Sequence, residues 1–187
     1  MTAANSSPGG HDPGGKVRLA LMPGVKGDAA FSADGRYRQL MRRWTGDAFP
    51  ERYMLFIGMN PSTADAMVND PTCAREWTFT QREGFDAMVK ANVGDYRATD
   101  PKMLLAPGVE AVSPENLPAI RAQAAKAGKV VVCHGKLNKA LAPAGKALIE
   151  ALRADGVALW CFGQNGDGSP KHPLYLRGDT PLRPFEG

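Results

Sequence analysis

The chain has 187 residues, enough for one domain with a sizeable buried core. Hydrophobic residues make up 43% and charged residues 22%, a balance that excludes an intrinsically disordered chain. The formal net charge of +4 is a modest basic excess, which permits a nucleic-acid partner without requiring one.

Residues 1–16 are rich in Gly, Ser, Pro and Ala, the composition of a flexible tail, and residues 17–187 are expected to form a single α/β domain. Val17 to Met22 is a short apolar run ended by Pro23-Gly24, an edge strand and turn. Arg36 to Trp44 mixes basic and aromatic residues and fits either a strand or a short helix. Tyr53 to Ile57 is continuously apolar and bounded by Gly58 and Asn60-Pro61, the pattern of a strand buried on both faces. A helix follows from about Pro71 to Arg82, with Thr72 as its N-cap and Gly84 as its stop.

Phe85 to Val93 reads as a second strand, followed by a loop from Gly94 to Pro114. Glu115 to Ala127 reads as a helix, Lys129 to Cys133 as a third buried strand, Ala144 to Ala154 as a helix and Val157 to Cys161 as a fourth strand. The remainder, Gln164 to Gly187, holds four prolines and reads as loop. Strands that alternate with helices imply a parallel sheet covered on both faces, here a three-layer α/β/α arrangement around a four-stranded parallel sheet.

Cys73, Cys133 and Cys161 form no CxxC and no paired framework, which excludes a disulfide scaffold and a four-cysteine iron–sulfur site. Cys133, His134, Cys161 and His172 fit no zinc-ligand spacing, so no metal is expected. The glycine-rich segment Gly163 to Gly168 precedes no helix and is neither a dinucleotide fingerprint nor a phosphate loop. No apolar run is long enough to span a bilayer, and the opening residues lack the regions of a signal peptide, so a cytoplasmic protein is expected.

Ligands of open α/β sheets bind beyond the carboxyl ends of the strands. The segments there carry the polar residues: Gly58-Met59-Asn60-Pro61-Ser62 with Asp65, then Asn92 and Arg97, then His134, then His172-Pro173-Leu174-Tyr175. Gly58-Met59-Asn60-Pro61 after a buried strand resembles the first catalytic motif of the uracil-DNA glycosylase superfamily, in the branches that carry Asn there. His172-Pro173-Leu174 resembles its second motif, and Asn92 its base-reading asparagine. The chain departs from that pattern in having Leu174-Tyr175 where Ser-Pro is usual, and in lacking the aspartate and tyrosine of the most active uracil enzymes. From about residue 31 onward it also resembles a domain of unknown function found in bacterial and phage proteins, through Arg36-Tyr37-Arg38, Asn60 to Asp65, Asp70-Pro71-Thr72, Arg97 to Pro101 and His172 to Leu176.

The glycosylase resemblance implies a uracil-DNA-glycosylase-like fold and hydrolysis of the N-glycosidic bond of uracil or a modified pyrimidine in single-stranded or mismatched DNA. Asn60 would hold a water, His172 would donate to the leaving base, and Asn92 would read a pyrimidine edge. Asp65 would supply a carboxylate, or else form only a local loop hydrogen bond. Leu174 or Tyr175 would pack on the flipped nucleotide, while Arg97, Lys136, Lys171 and Arg177 would hold phosphates. No organic cofactor is needed. Two alternatives stay open: a module that binds a modified base or nucleic acid without turnover, and a hydrolase of a free nucleoside or nucleotide.

Overall fold

A computed structural model describes residues 17–187; the expected tail, residues 1–16, lies outside the described residues. In chain order the elements are β1 (Leu19–Ala20), β2 (Lys26–Phe31), β3 (Arg38–Trp44), β4 (Met54–Gly58), β5 (Val68–Asn69), α1 (Pro71–Arg82), β6 (Ala87–Asn92), α2 (Asn116–Ala124), β7 (Lys129–Val132), α3 (Ala142–Ala154), β8 (Leu159–Cys161) and β9 (Arg183–Pro184). Two 3-10 turns, Pro101–Leu105 and Pro173–Tyr175, complete the chain.

The protein is a mixed α/β fold built on a seven-stranded sheet in the order β2-β3-β6-β4-β7-β8-β9. β4 pairs in parallel with β6 and β7, and β7 in parallel with β8. The hairpin β2–β3 adds to β6 in antiparallel fashion, and β9 adds to β8 in the same way. The sheet is therefore larger than the expected four strands. β2 escapes a sequence reading because Lys-Gly-Asp-Ala-Ala-Phe is half exposed and poor in β-branched residues. β9 is two residues long and contains a proline, which an edge strand tolerates.

Every residue of β4 and β6 is buried. Alternate side chains point to opposite faces, and two hydrophobic clusters result. Leu55, Ile57, Val89, Val130 and Val132 pack with Ile120 of α2 and with Leu148 and Leu152 of α3. Met54, Phe56, Met88 and Val131 pack with Trp77 and Phe79 of α1. The three cysteines are free and buried.

Several boundaries differ from expectation. The run at Val17 forms only β1, which pairs with β5 in a separate two-stranded ribbon rather than edging the main sheet. Arg36 to Trp44 resolves as strand β3. Its Arg38 and Arg43 are buried because their guanidiniums satisfy backbone carbonyls of the 64–68 segment: Arg38 donates to Ala64 O, and Arg43 to Asp65 O and to Val68 O at 2.9 Å. The N-cap of α1 is Asp70, not Thr72. Its carboxylate accepts from Cys73 N at 2.8 Å, and Pro71 takes the first helical position where no N–H is needed. Gly84 follows the helix with φ +74°, as a helix-stopping glycine does. Among the described residues no helix is long and apolar enough to cross a membrane.

Candidate functional site

The chain passes from β4 to β6 on one side of β4, then returns through α2 to β7 on the other. The carboxyl end of β4 is thus a switch point, where neighbouring loops part and leave a crevice. A cleft of about 220 Å³ opens there. Gly58, Met59, Asn60 and Ser62 from the loop after β4 form one wall, and Asn92 closes the end of β6. His172 and Tyr175 come in from the loop after β8, and Asp70 and Thr72 from the start of α1. Arg38 and Lys90, both buried, form its floor, and Pro101 also lines it.

Asn60 is held by its own neighbourhood. Its side-chain nitrogen donates to Ala98 O at 2.6 Å and to Pro61 O at 3.1 Å. Both partners are acceptors, so the amide orientation is determined and Oδ1 faces away from them. The two loops are zipped further by Ala98 N–H to Pro61 O at 2.9 Å, and by the Ser62 and Thr99 hydroxyls 3.2 Å apart.

Asn92 is 1% exposed, yet neither atom of its amide has a hydrogen-bond partner. A buried amide without partners is costly in a folded protein, so one that lines a cleft calls for a partner supplied from within that cleft. His172 is a 3-10 turn cap whose Nδ1 accepts from Leu174 N–H at 3.4 Å. That bond leaves the proton of the neutral ring on Nε2. Burial, together with repulsion from the Lys90 ammonium and against the pull of Asp70, lowers its pKa to about 4. The imidazole is therefore a neutral N–H donor at physiological pH. Tyr175 is 85% exposed, with its ring 5.9 Å from the His172 ring.

The cleft gathers Gly58, Met59, Asn60, Ser62, Asn92, His172 and Tyr175, and leaves other expected residues outside its lining. Pro61 contributes its carbonyl to the loop zipper. Asp65 folds back on its own turn, accepting from Met67 N at 2.8 Å and Val68 N at 2.9 Å. Arg97 is buried, donates to Gly35 O at 2.9 Å and stacks on Phe31, so it braces the β2–β3 hairpin. Leu174 acts through its backbone N–H on His172. His134 is buried, with Nδ1 2.6 Å from Gly135 O and its pKa lowered by burial. It lines a separate cavity of about 370 Å³ walled by Ile149 and Phe185. Of the outer cations, Lys136 pairs with Asp167 and Arg177 with Asp179.

Sequence reasoning missed the floor. Lys90, 4% exposed, forms a salt bridge with Glu76 of α1, itself 0% exposed. The Cys133 thiol also donates to Glu76 Oε1, at 3.6 Å. Burial raises the Glu76 pKa while Lys90 opposes the rise; on Lys90 burial is the largest single influence and lowers the pKa, but Glu76 together with the neighbouring Cys133 and Cys73 raises it and holds the ammonium charged. A lysine inside the otherwise apolar Ala-Met-Val-Lys-Ala run was the available signal, because such a charge requires a buried partner. Asp70, the carboxylate that lines the cleft, was legible only as part of an Asp-Pro-Thr motif.

No curated protein and no solved structure matches the chain. The family described as "Protein of unknown function (DUF1643)" matches residues 36–174, from just before β3 to just past His172. The match covers most of the chain and both motif loops of the cleft, and the protein belongs to that family.

Proposed function

We propose that the chain is an N-glycosidic hydrolase that releases uracil or a modified pyrimidine from DNA, on a divergent uracil-DNA-glycosylase-like fold. The observation that carries the reading is convergence. A buried, unpartnered Asn92 amide, a neutral His172 Nε2–H and a fixed Asn60 side chain with its oxygen free all belong to one cleft. Base excision needs three such groups: one that reads the flipped base, one that donates to its carbonyl as charge builds, and one that orients a water toward C1′. Asn92 offers both a donor and an acceptor to a pyrimidine edge. Asp70 takes the role first expected of Asp65 and accepts the proton of the attacking water. The exposed Tyr175 ring at the mouth packs against the nucleotide outside the cleft.

The test is an abasic-site assay on single-stranded and mismatched oligonucleotides carrying uracil, 5-hydroxymethyluracil or thymine opposite guanine. Alkali-labile breaks that vanish in Asn60→Ala and His172→Ala support the reading, and no breaks on any substrate refute it. A second reading, a module that binds a base without turnover, is favoured by Asn60 itself, since an amide cannot take a proton from water. Salt-dependent DNA binding without breaks selects that reading.

A further inference from the structure

Lys90 is a buried cation with no part in the reaction as described. It lies two residues before Asn92 on β6, so both side chains leave the same face of the sheet. Gly58 on β4 pairs with Asn92 in register. A Cβ placed on Gly58 would stand 2.6 Å from Lys90 Nζ and 2.8 Å from Asn92 Oδ1. The ammonium and the unpartnered amide therefore share one floor, directly beneath the first motif. Glu76 Oε1 takes one of the three protons on Nζ. The field of the ammonium reaches His172, whose affinity for a proton it lowers. Stability alone gives no reason for a cation here, since a buried ion pair contributes little beyond what apolar residues of the same volume provide.

We propose that Lys90 is a further catalytic residue: its ammonium stabilises the negative charge that builds on the leaving base. The inference rests on the N-glycosidic reading above. As the C1′–N bond breaks, its electron pair goes to the base nitrogen and the base leaves as an anion. The water oxygen bonds to C1′, and the water proton passes to Asp70 and then to solvent, where the base is reprotonated. Lys90 gains and loses no proton, and nothing is oxidised or reduced. A fixed cation in a buried site interacts weakly with a neutral base and strongly with its anion, which is the differential binding that lowers a barrier. Asn60 makes this contribution matter more. With no carboxylate at that position to stabilise the sugar cation, the departing base carries more of the work.

The test uses the full chain and the double variant Glu76→Gln/Lys90→Met, which removes both buried charges together; its fold is checked by urea denaturation. In the first arm, calorimetry compares binding of free uracil with 5-nitrouracil, which is ionised at neutral pH. Wild type is expected to prefer the ionised base by about tenfold or more, and the variant to lose that preference. In the second arm, single-turnover release is measured from oligonucleotides carrying uracil or 5-fluorouracil, the better leaving group. The variant is expected to lose about 100-fold on uracil and clearly less on 5-fluorouracil, with DNA affinity unchanged. Equal losses on the two bases, or a preference for 5-nitrouracil that survives in the variant, overturn the role of Lys90 alone. A wild type that prefers the ionised base yet releases none overturns the N-glycosidic reading, and the catalytic role with it.

Discussion

The side-chain nitrogen of Asn60 donates to the Ala98 carbonyl at 2.6 Å, and this bond decides what the first motif tolerates. An aspartate at position 60 would turn an oxygen toward two carbonyl oxygens, those of Ala98 and Pro61. Asn60→Asp is therefore expected to cost about 1–3 kcal/mol at pH 7.5. The carboxyl is favoured in its protonated form, which can donate to Ala98, so its folded-state pKa lies above the unfolded value. The folded state then binds more protons between the two values, and stability falls as pH rises through that window. Urea denaturation at pH 5 and pH 7.5 checks this, and a variant as stable as wild type at pH 7.5 refutes it.

His172 gives the second expectation. In the unfolded chain it titrates near its ordinary value of 6.5, and in the folded chain at about 4. Between these values the unfolded state binds more protons, so this group's contribution lowers stability as pH falls from 6.5 toward 4 and levels off below. Base release that depends on the neutral ring should hold from pH 8 to pH 5 and decline with a midpoint near the His172 value. Nitrogen NMR at pH 6.5 should show a neutral ring protonated on Nε2. A charged ring at that pH would contradict the burial and Lys90 repulsion that set the shift. In Glu76→Gln/Lys90→Met the midpoint should move upward, because that repulsion is gone.

How far the site was readable follows from how its parts are encoded. Asn60 stands in a short motif directly after β4, and His172 in one at the end of the loop that follows β8, so local sequence and sheet polarity direct both to one edge. Asn92 was found for the same reason. Asp65 was open between a catalytic carboxylate and a local loop hydrogen bond, and Arg97 was expected to hold a phosphate; each bonds to backbone groups of its own or a nearby loop, and only the folded path of those loops decides it. Glu76 and Lys90 lie on a helix and a strand whose contact is tertiary, so neither local periodicity nor spacing reveals the pair. The parallel pairings came from runs such as Met-Leu-Phe-Ile. β3 stayed open between strand and helix because Arg38 and Arg43 reverse the usual sign of a buried position, hydrogen-bonding to carbonyls where apolar residues are expected, and its partner β2 carries no apolar alternation to decide it.

The pair itself can be tested for stability apart from any activity. Lys90→Met alone leaves the Glu76 carboxylate buried without its cation, and a loss of about 3–5 kcal/mol is expected. Adding Glu76→Gln should restore most of it, since the neutral amide no longer needs a counter-charge. A double-mutant cycle by urea denaturation reads the coupling. Additive losses would show that the two residues do not act as a buried pair.

Gly58 is needed for space and not for backbone conformation, since its φ is not in the left-handed region. Gly58→Ala should leave the backbone unstrained but push Lys90 Nζ and Asn92 Oδ1 away from positions 2.6 and 2.8 Å from the new methyl group. Overpacking of this kind costs about 1–3 kcal/mol. Because both displaced groups belong to the cleft floor, ligand binding should suffer more than stability. Calorimetry with free base, set beside urea denaturation, separates the two, and unchanged binding would place the ligand away from β4.

The loop that carries His172 is fastened to α1 by two arginines. Arg82 donates to the carbonyls of Gly178 and Thr180, each at 2.7 Å, and Arg75 donates to Leu176 O. These bonds cross from a helix in the core to a segment with little regular structure of its own, so they set where His172 stands relative to Asn92. Arg75→Ala/Arg82→Ala should raise amide hydrogen exchange across residues 173–180 while leaving β4 and β6 protected. Global stability should fall by about 1–3 kcal/mol, the range for losing a few partly exposed hydrogen bonds. If His172 acts only when held against the cleft, base release should drop well beyond what that stability loss explains, because a misplacement of about 1 Å can cost about 100-fold. Raised exchange with unaltered release would show that the cleft positions His172 without help from α1.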